Sequence, residues 1–150
     1  MKIKKTLIIY ESVHHKNTKK VIDYISEQLP VKTFRLSCKE KIDLKEFDLL
    51  IIASGIYYSR LHKSIFEWLK NENIKNKEIG IFYTCGFKYM NYSKYLQNYI
   101  ISSGGKYIGT CWCRGYDSYG LLSKIAGIAK NHPNDKDMIK IKNQIMKWML

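Results

Sequence analysis

The sequence predicts an α/β fold, a doubly wound parallel sheet with helices packed on both faces. Two observations carry the prediction. Apolar runs without strict alternation, clearest at Thr6 to Tyr10 and Phe47 to Ala53, suit strands covered on both sides. Between such runs lie segments whose apolar residues recur at helical spacing, so strands and helices alternate as β-α-β crossovers require.

Each element follows in order. After the first strand, Asn17 to Leu29 places Val21, Ile22, Ile25 and Leu29 on one helical stripe. Val31 to Leu36 reads as a short edge strand, and Phe47 to Ala53 as the central one. His62 to Lys70 turns Ile65, Phe66, Trp68 and Leu69 inward. Two weaker strands, Glu78 to Tyr83 and Lys106 to Cys113, flank a helix from Asn91 to Ser103. Its Tyr92, Tyr95, Leu96 and Tyr99 are expected in the core, and Gly104-Gly105 supplies a C-cap. The last helix opens at Pro133-Asn134, with Asn134 as cap and Asp135 and Asp137 at the positive end of the dipole. Its buried stripe is Met138, Ile141, Ile145 and Trp148. Residues 114–133 give no clean assignment beyond a candidate short helix from Leu121 to Ala129.

A length of 150 residues, 45% hydrophobic and 26% charged, points to one globular domain over 1–150. No apolar run approaches the roughly 18 to 20 residues that cross a bilayer. The basic start leads into an apolar run too short for a signal peptide, so a cytoplasmic protein is expected. The cysteines, Cys38, Cys85, Cys111 and Cys113, match neither a disulfide framework nor a zinc spacing. They read as buried reduced thiols, with a redox role for Cys85 or Cys113 as the alternative, and Cys111 and Cys113, two apart on a strand, share a face. The net charge of +13 comes from lysine, since the only arginines are Arg35, Arg60 and Arg114. Arginine is the residue that pairs bidentately with bases and phosphates, so a solvated lysine coat is favoured over nucleic-acid binding. Docking to acidic redox partners is compatible with the same coat.

In a sheet of this kind ligands bind beyond the carboxyl ends of the strands. Four loops are expected there: Glu11 to Thr18, Ser54 to Arg60, Thr84 to Tyr89 and Arg114 to Gly120. In the first, Ser12 and Thr18 hydroxyls and the amides of His14, His15 and Lys16 at a helix start form a phosphate nest. In the second and fourth, glycine beside aromatics (Gly55 with Tyr57 and Tyr58; Gly115 with Tyr116 and Tyr119) lets the backbone approach a flat heterocycle and the rings stack on it. Adjacent His14 and His15 rarely converge on one ion, so no metal site is expected. A receiver domain lacks its acceptor aspartate, because Ser54 ends the third strand. A low-molecular-weight phosphatase lacks its Arg six residues after a Cys. No Ser-His-Asp set stands out.

These residues resemble the flavodoxin family over essentially the whole chain. Ser12-Val13-His14-His15-Lys16-Asn17-Thr18 resembles the phosphate loop, Phe47 to Tyr57 the third strand and first ring loop, and Thr84-Cys85-Gly86 the second ring loop. Cys113 to Gly120, with Gly127 and His132-Pro133-Asn134, resembles a clostridial and archaeal branch. The resemblance implies a three-layer sandwich with five parallel strands in the flavodoxin-like order 2-1-3-4-5, and FMN as cofactor. It implies that Ser12, His14, His15, Lys16, Asn17 and Thr18 hold the phosphate. Ser54, Gly55, Ile56, Tyr57, Tyr58, Thr84, Cys85, Gly86 and Phe87 would frame the isoalloxazine, the first of these loops bonding its N5. Two departures stand out. The usual Ser/Thr-x-Thr-Gly-Asn-Thr loop has lost its glycine and gained one residue, and flavodoxins are usually acidic. The expected function is electron transfer to redox partner proteins, as monomer or homodimer. The alternatives are an FMN-dependent NAD(P)H:quinone-type oxidoreductase, a protoporphyrinogen-oxidase-like enzyme, and a scaffold without flavin.

Overall fold

The computed structural model describes residues 2–13, 15–38, 40–116 and 129–150. His14 and nearly all of the candidate helix Leu121 to Ala129 lie outside the described residues. The chain forms β1 (Thr6–Glu11), α1 (Asn17–Gln28), β2 (Val31–Arg35), a 3-10 turn (Leu44–Glu46) and β3 (Leu49–Tyr57). Then come β4 (Arg60–Leu61), α2 (Lys63–Leu69), β5 (Glu78–Cys85), α3 (Lys94–Ser102), β6 (Lys106–Arg114) and α4 (Asp135–Met149).

The five long strands are parallel and ordered β2-β1-β3-β5-β6, which is the expected order 2-1-3-4-5 once the extra strand β4 is set aside. Alternation within each strand sorts the core into two layers. Leu7, Ile9, Leu50, Ile52, Ile79 and Ile81 face α2 and α3, meeting Ile65, Leu69, Leu96 and Ile100. Ile8, Leu49, Ile51, Ala53 and Phe82 face the opposite way, against Val21, Ile22 and Ile25 of α1 and Met138, Ile141 and Ile145 of α4. Burying each such aliphatic side chain stabilises by about 1.5–3 kcal/mol, which explains why the unbroken apolar runs take the central places.

Local signals set the helix ends. α3 closes in a Schellman motif: Gly105 N–H donates to the Ile100 carbonyl and Gly104 N–H to Ile101, with Gly104 at φ 84°. Asn134 and Asp137 cap α4 reciprocally. In β6 an extra residue, Ile108, forms a bulge between the pairs Ile79–Tyr107 and Gly80–Gly109. Gly109 has φ 148°, which other residues rarely adopt.

Three expectations need correction. The segment Ser54 to Tyr57 is strand, because β3 runs on to Tyr57 and turns back through Tyr58-Ser59 into antiparallel β4. Both turn residues have positive φ (52° and 64°), as a two-residue hairpin turn of type I′ requires, and buried Leu61 anchors the return. Tyr95 is exposed rather than core: it lies on the outer face of α3, where Arg60 covers its ring. Phe66 and Trp68 are only partly buried, packed at the margin of the α2 layer.

The expectation of buried thiols holds for three cysteines and fails at Cys38, which lies on the turn that follows the edge strand β2. Cys111 and Cys113 share the α1/α4 face, as expected, and Cys85 is also buried, while Cys38 is exposed. Burial pushes the Cys111 thiol up to about 12, and burial with nearby Asp137 pushes Cys113 up as well. Both therefore stay protonated at pH 8. Ellman titration at that pH should find one fast thiol, Cys38, and all four after denaturation.

Candidate functional site

The loops after β1, β3, β5 and β6 meet at one end of the sheet. The first loop is rooted by a half-buried ion pair. Arg35, at the end of β2, donates Nε to Glu11 Oε1 (3.2 Å) and Nη2 to the Ser12 carbonyl (3.1 Å), while Ser12 N–H donates to Glu11 Oε1. Glu11 is buried, so its charge is held by these donors. Ser12 Oγ accepts the Lys19 N–H at 3.1 Å, which leaves the hydroxyl proton to donate elsewhere.

His15 and Lys16 both stand in the left-handed region (φ 53°) immediately before α1. Such a turn into a helix start gathers amide N–H groups into an anion-binding concavity. The N-cap residue Lys16 makes no side-chain cap and no acidic residue lies in the first turn of α1, so no carboxylate opposes an anion there. Lys16 takes the conformation that suits the family glycine it replaces. Lys16→Gly should therefore stabilise the protein by about 0.5–1 kcal/mol, read by urea unfolding, because glycine enters this region without Cβ strain.

The remaining loops are tied to this one. Thr18 Oγ1 and Thr84 Oγ1, both buried, are hydrogen-bonded at 2.9 Å and join α1 to the end of β5. Tyr57 Oη accepts the Val13 N–H at 3.1 Å, its ring lies edge-on to His62, and its ring sits against the open backbone of Gly55. Asn17 Nδ2 donates to the Tyr116 carbonyl, and the His15 and Tyr116 rings meet at 4.1 Å. A Cβ on Gly115 would stand 2.6 Å from Asn17 Nδ2, so this loop is pressed against the start of α1.

The other site candidates divide by environment. Ser54 is fully buried, and its hydroxyl accepts the His62 N–H and donates to the Gly55 carbonyl, which braces the β3–β4 hairpin. Ile56 packs on the core from the hairpin. Cys85 and Gly86 are buried, and their carbonyls accept from Gly115 N–H and from the Arg114 guanidinium. Tyr58 and Phe87 are the exposed members, 82% and 64% accessible, on the adjacent loops that follow β3 and β5. His14 lies outside the described residues.

Arg35, which no loop motif singled out, and Arg114, Gly115 and Tyr116 of the fourth loop, absent from the candidate set, each hold a loop in place. One signal for them was in view. All three arginines of a lysine-rich chain stand at this end, at the close of β2, in β4 and at the close of β6. Among the described residues no group of three His, Cys, Asp or Glu side chains gathers as a metal site, and no helix is long and apolar enough to cross a membrane.

The Flavodoxin domain family matches residues 7–126. An uncharacterized protein of Methanocaldococcus jannaschii is 36% identical over 140 residues, covering 92% of this chain and 93% of its own length. Among solved structures, an NADPH-quinone reductase from P. pentosaceus superposes with TM-score 0.68 at 11% identity, over 97% of this chain and 98% of that one. A Lactobacillus acidophilus flavoprotein in complex with FMN superposes with TM-score 0.57 at 20% identity, over 74% and 93%. At these identities the structures show a shared fold.

Proposed function

Because the chain belongs to the flavodoxin family, we propose that it binds one FMN across these loops and acts as an electron carrier. The observation that carries the reading is the left-handed His15-Lys16 turn opening α1, tied through Tyr57 and Thr18 to two loops that carry exposed aromatics. The phosphate falls to the amides that open α1 and to the Ser12 and Thr18 hydroxyls, where the helix dipole favours negative charge. The ring falls to the edge formed by Tyr57, Tyr58, Gly86 and Phe87, whose flat faces exclude water on the loop side.

The bound flavin supplies one- and two-electron redox chemistry, and the protein supplies position and environment. Arg114 holds the Gly86 carbonyl and buried Ser54 braces the hairpin, so both ring loops are fixed by side chains behind them. Rigid placement of this kind lowers the ordering cost of taking up a cofactor.

An absorption spectrum of the purified protein, before and after adding FMN and desalting, tests the reading. Near-stoichiometric flavin bands support it. A colourless protein that cannot be reconstituted overturns it and leaves the scaffold. For a protein that holds flavin, steady oxidation of NAD(P)H with a quinone would mark an enzyme, and its absence a carrier.

A further inference from the structure

Lysine and arginine are spread along the chain, but the acidic residues that offset them are not. Residues 12–16, 54–66 and 86–95, which form three of the four loops of the site and the first turns of α2 and α3, contain no Asp or Glu, and the fourth loop, 114–120, carries Asp117 as well as Arg114. The three stretches without acid hold Lys16, Arg60, Lys63, Lys88 and Lys94. Acidic residues gather at the other end of the sheet instead, with Asp43, Glu46 and Asp48 before β3 and Glu78 opening β5. At the site end Glu11 is buried against Arg35, and Asp137 is engaged by His132 and the α4 cap on the opposite face, beside Asp135.

A second observation falls on the same edge. The aromatic side chains that stand exposed among the described residues, Tyr58, Phe87, Tyr89 and Tyr95, all lie there, and Met90 joins them. They form one connected patch: Tyr89 Oη bonds Ser59 Oγ at 2.8 Å, Phe87 stacks on Tyr89, and Arg60 lies 5.2 Å over Tyr95. An aromatic and arginine centre with a lysine rim is the anatomy of a protein–protein interface, and large contiguous apolar patches on soluble proteins mark such contacts.

We propose that this edge docks an acidic electron-transfer protein. The proposal rests on the flavin reading, which puts the ring beside Tyr58 and Phe87 and so within short reach of whatever sits on the patch. Charge complementarity selects the partner's sign: an edge whose basic side chains outnumber its carboxylates raises encounter rates with an acidic surface and repels a basic one. A single-stranded nucleic acid fits less well. Its bases need open ring faces, whereas Phe87, Tyr89 and Tyr95 are already engaged with one another, with Ser59 or with Arg60.

The test measures binding of a plant-type [2Fe–2S] ferredoxin, a small acidic protein, by calorimetry at low and high salt. The proteins are the unaltered chain, Lys63→Glu/Lys94→Glu at the rim, and Lys45→Glu/Lys75→Glu at the opposite end, a control with the same charge change. Circular dichroism checks the fold of each, and flavin absorbance is read separately. The expected result is binding that weakens with salt, falls at least tenfold in the rim variant and holds within about threefold in the control. Equal losses in both variants, or salt-independent binding, would overturn the proposal. So would tighter binding of an oligothymidine strand than of ferredoxin, lost in the rim variant. Ferredoxin binding with the expected pattern by a protein that retains no FMN would leave the docking edge standing and reject the flavin reading alone.

Discussion

Trp148→Ala should lower stability by about 3 kcal/mol, more than any single surface change in this protein, although the side chain is only partly buried. The indole of α4 spans two glycines that are partners in register: its benzo carbons approach the Cβ position of Gly80 to 2.7 Å, and its other side that of Gly109 to 3.3 Å. Removing it empties a slot that strand backbone cannot refill. The same geometry predicts the reverse substitution. Gly80→Ala alone forces the indole away and should cost about 1–3 kcal/mol. In the Trp148→Ala background the added methyl meets no ring, so Gly80→Ala should cost nothing or restore part of the loss. A double-mutant cycle by urea unfolding without added flavin would show a coupling of at least about 1 kcal/mol. Additive effects would mean that the ring does not rest on Gly80.

Thr18→Val should raise the dissociation constant for FMN about tenfold to a hundredfold, the worth of a hydrogen bond to a charged group at about 1.5–3 kcal/mol. Valine keeps the shape and removes the hydroxyl, so the helix stays and the donor goes. The buried bond to Thr84 Oγ1 is lost at the same time, and this has its own signature. Thr84→Val breaks the same bond while leaving the Thr18 hydroxyl in place. Flavin titration of both variants therefore separates two roles. A larger loss in Thr18→Val assigns its hydroxyl to the phosphate. Equal losses would show that Thr18 acts by tying α1 to β5.

Much of the fold was legible because burial leaves a strong trace. Ile8 and Ile9, or Ile51 and Ile52, point to opposite layers, and only a strand covered on both faces is apolar at every position. Gly104-Gly105 and Asn134 marked their helix ends through backbone chemistry that few other residues supply. The β3–β4 hairpin was not legible. Its turn is Tyr58-Ser59, where a type I′ turn ordinarily shows Asn or Gly, and its closing strand is two residues long. Tyr95 followed the helical spacing of its neighbours, yet its place depends on Arg60, distant in sequence. In the site, Ser12, Thr18, Tyr57 and Gly86 were visible as loop chemistry beyond strand ends. Arg35 and Arg114 were not, because their partners are backbone carbonyls and a buried glutamate that no local motif announces.

The bulge at Ile108 bears on how copies of this protein meet. β6 is one margin of the sheet, and a regular margin strand offers its unpaired amides and carbonyls to a neighbour, so that two sheets can fuse into one. Here the extra residue and the φ of 148° at Gly109 break that row near its middle. A second β6 laid antiparallel across a two-fold axis would meet the kink and lose register on both sides. Sheet fusion along β6 is therefore disfavoured by the backbone itself, which leaves the β2 margin, or side-chain surfaces, as the places where two copies of this chain could meet.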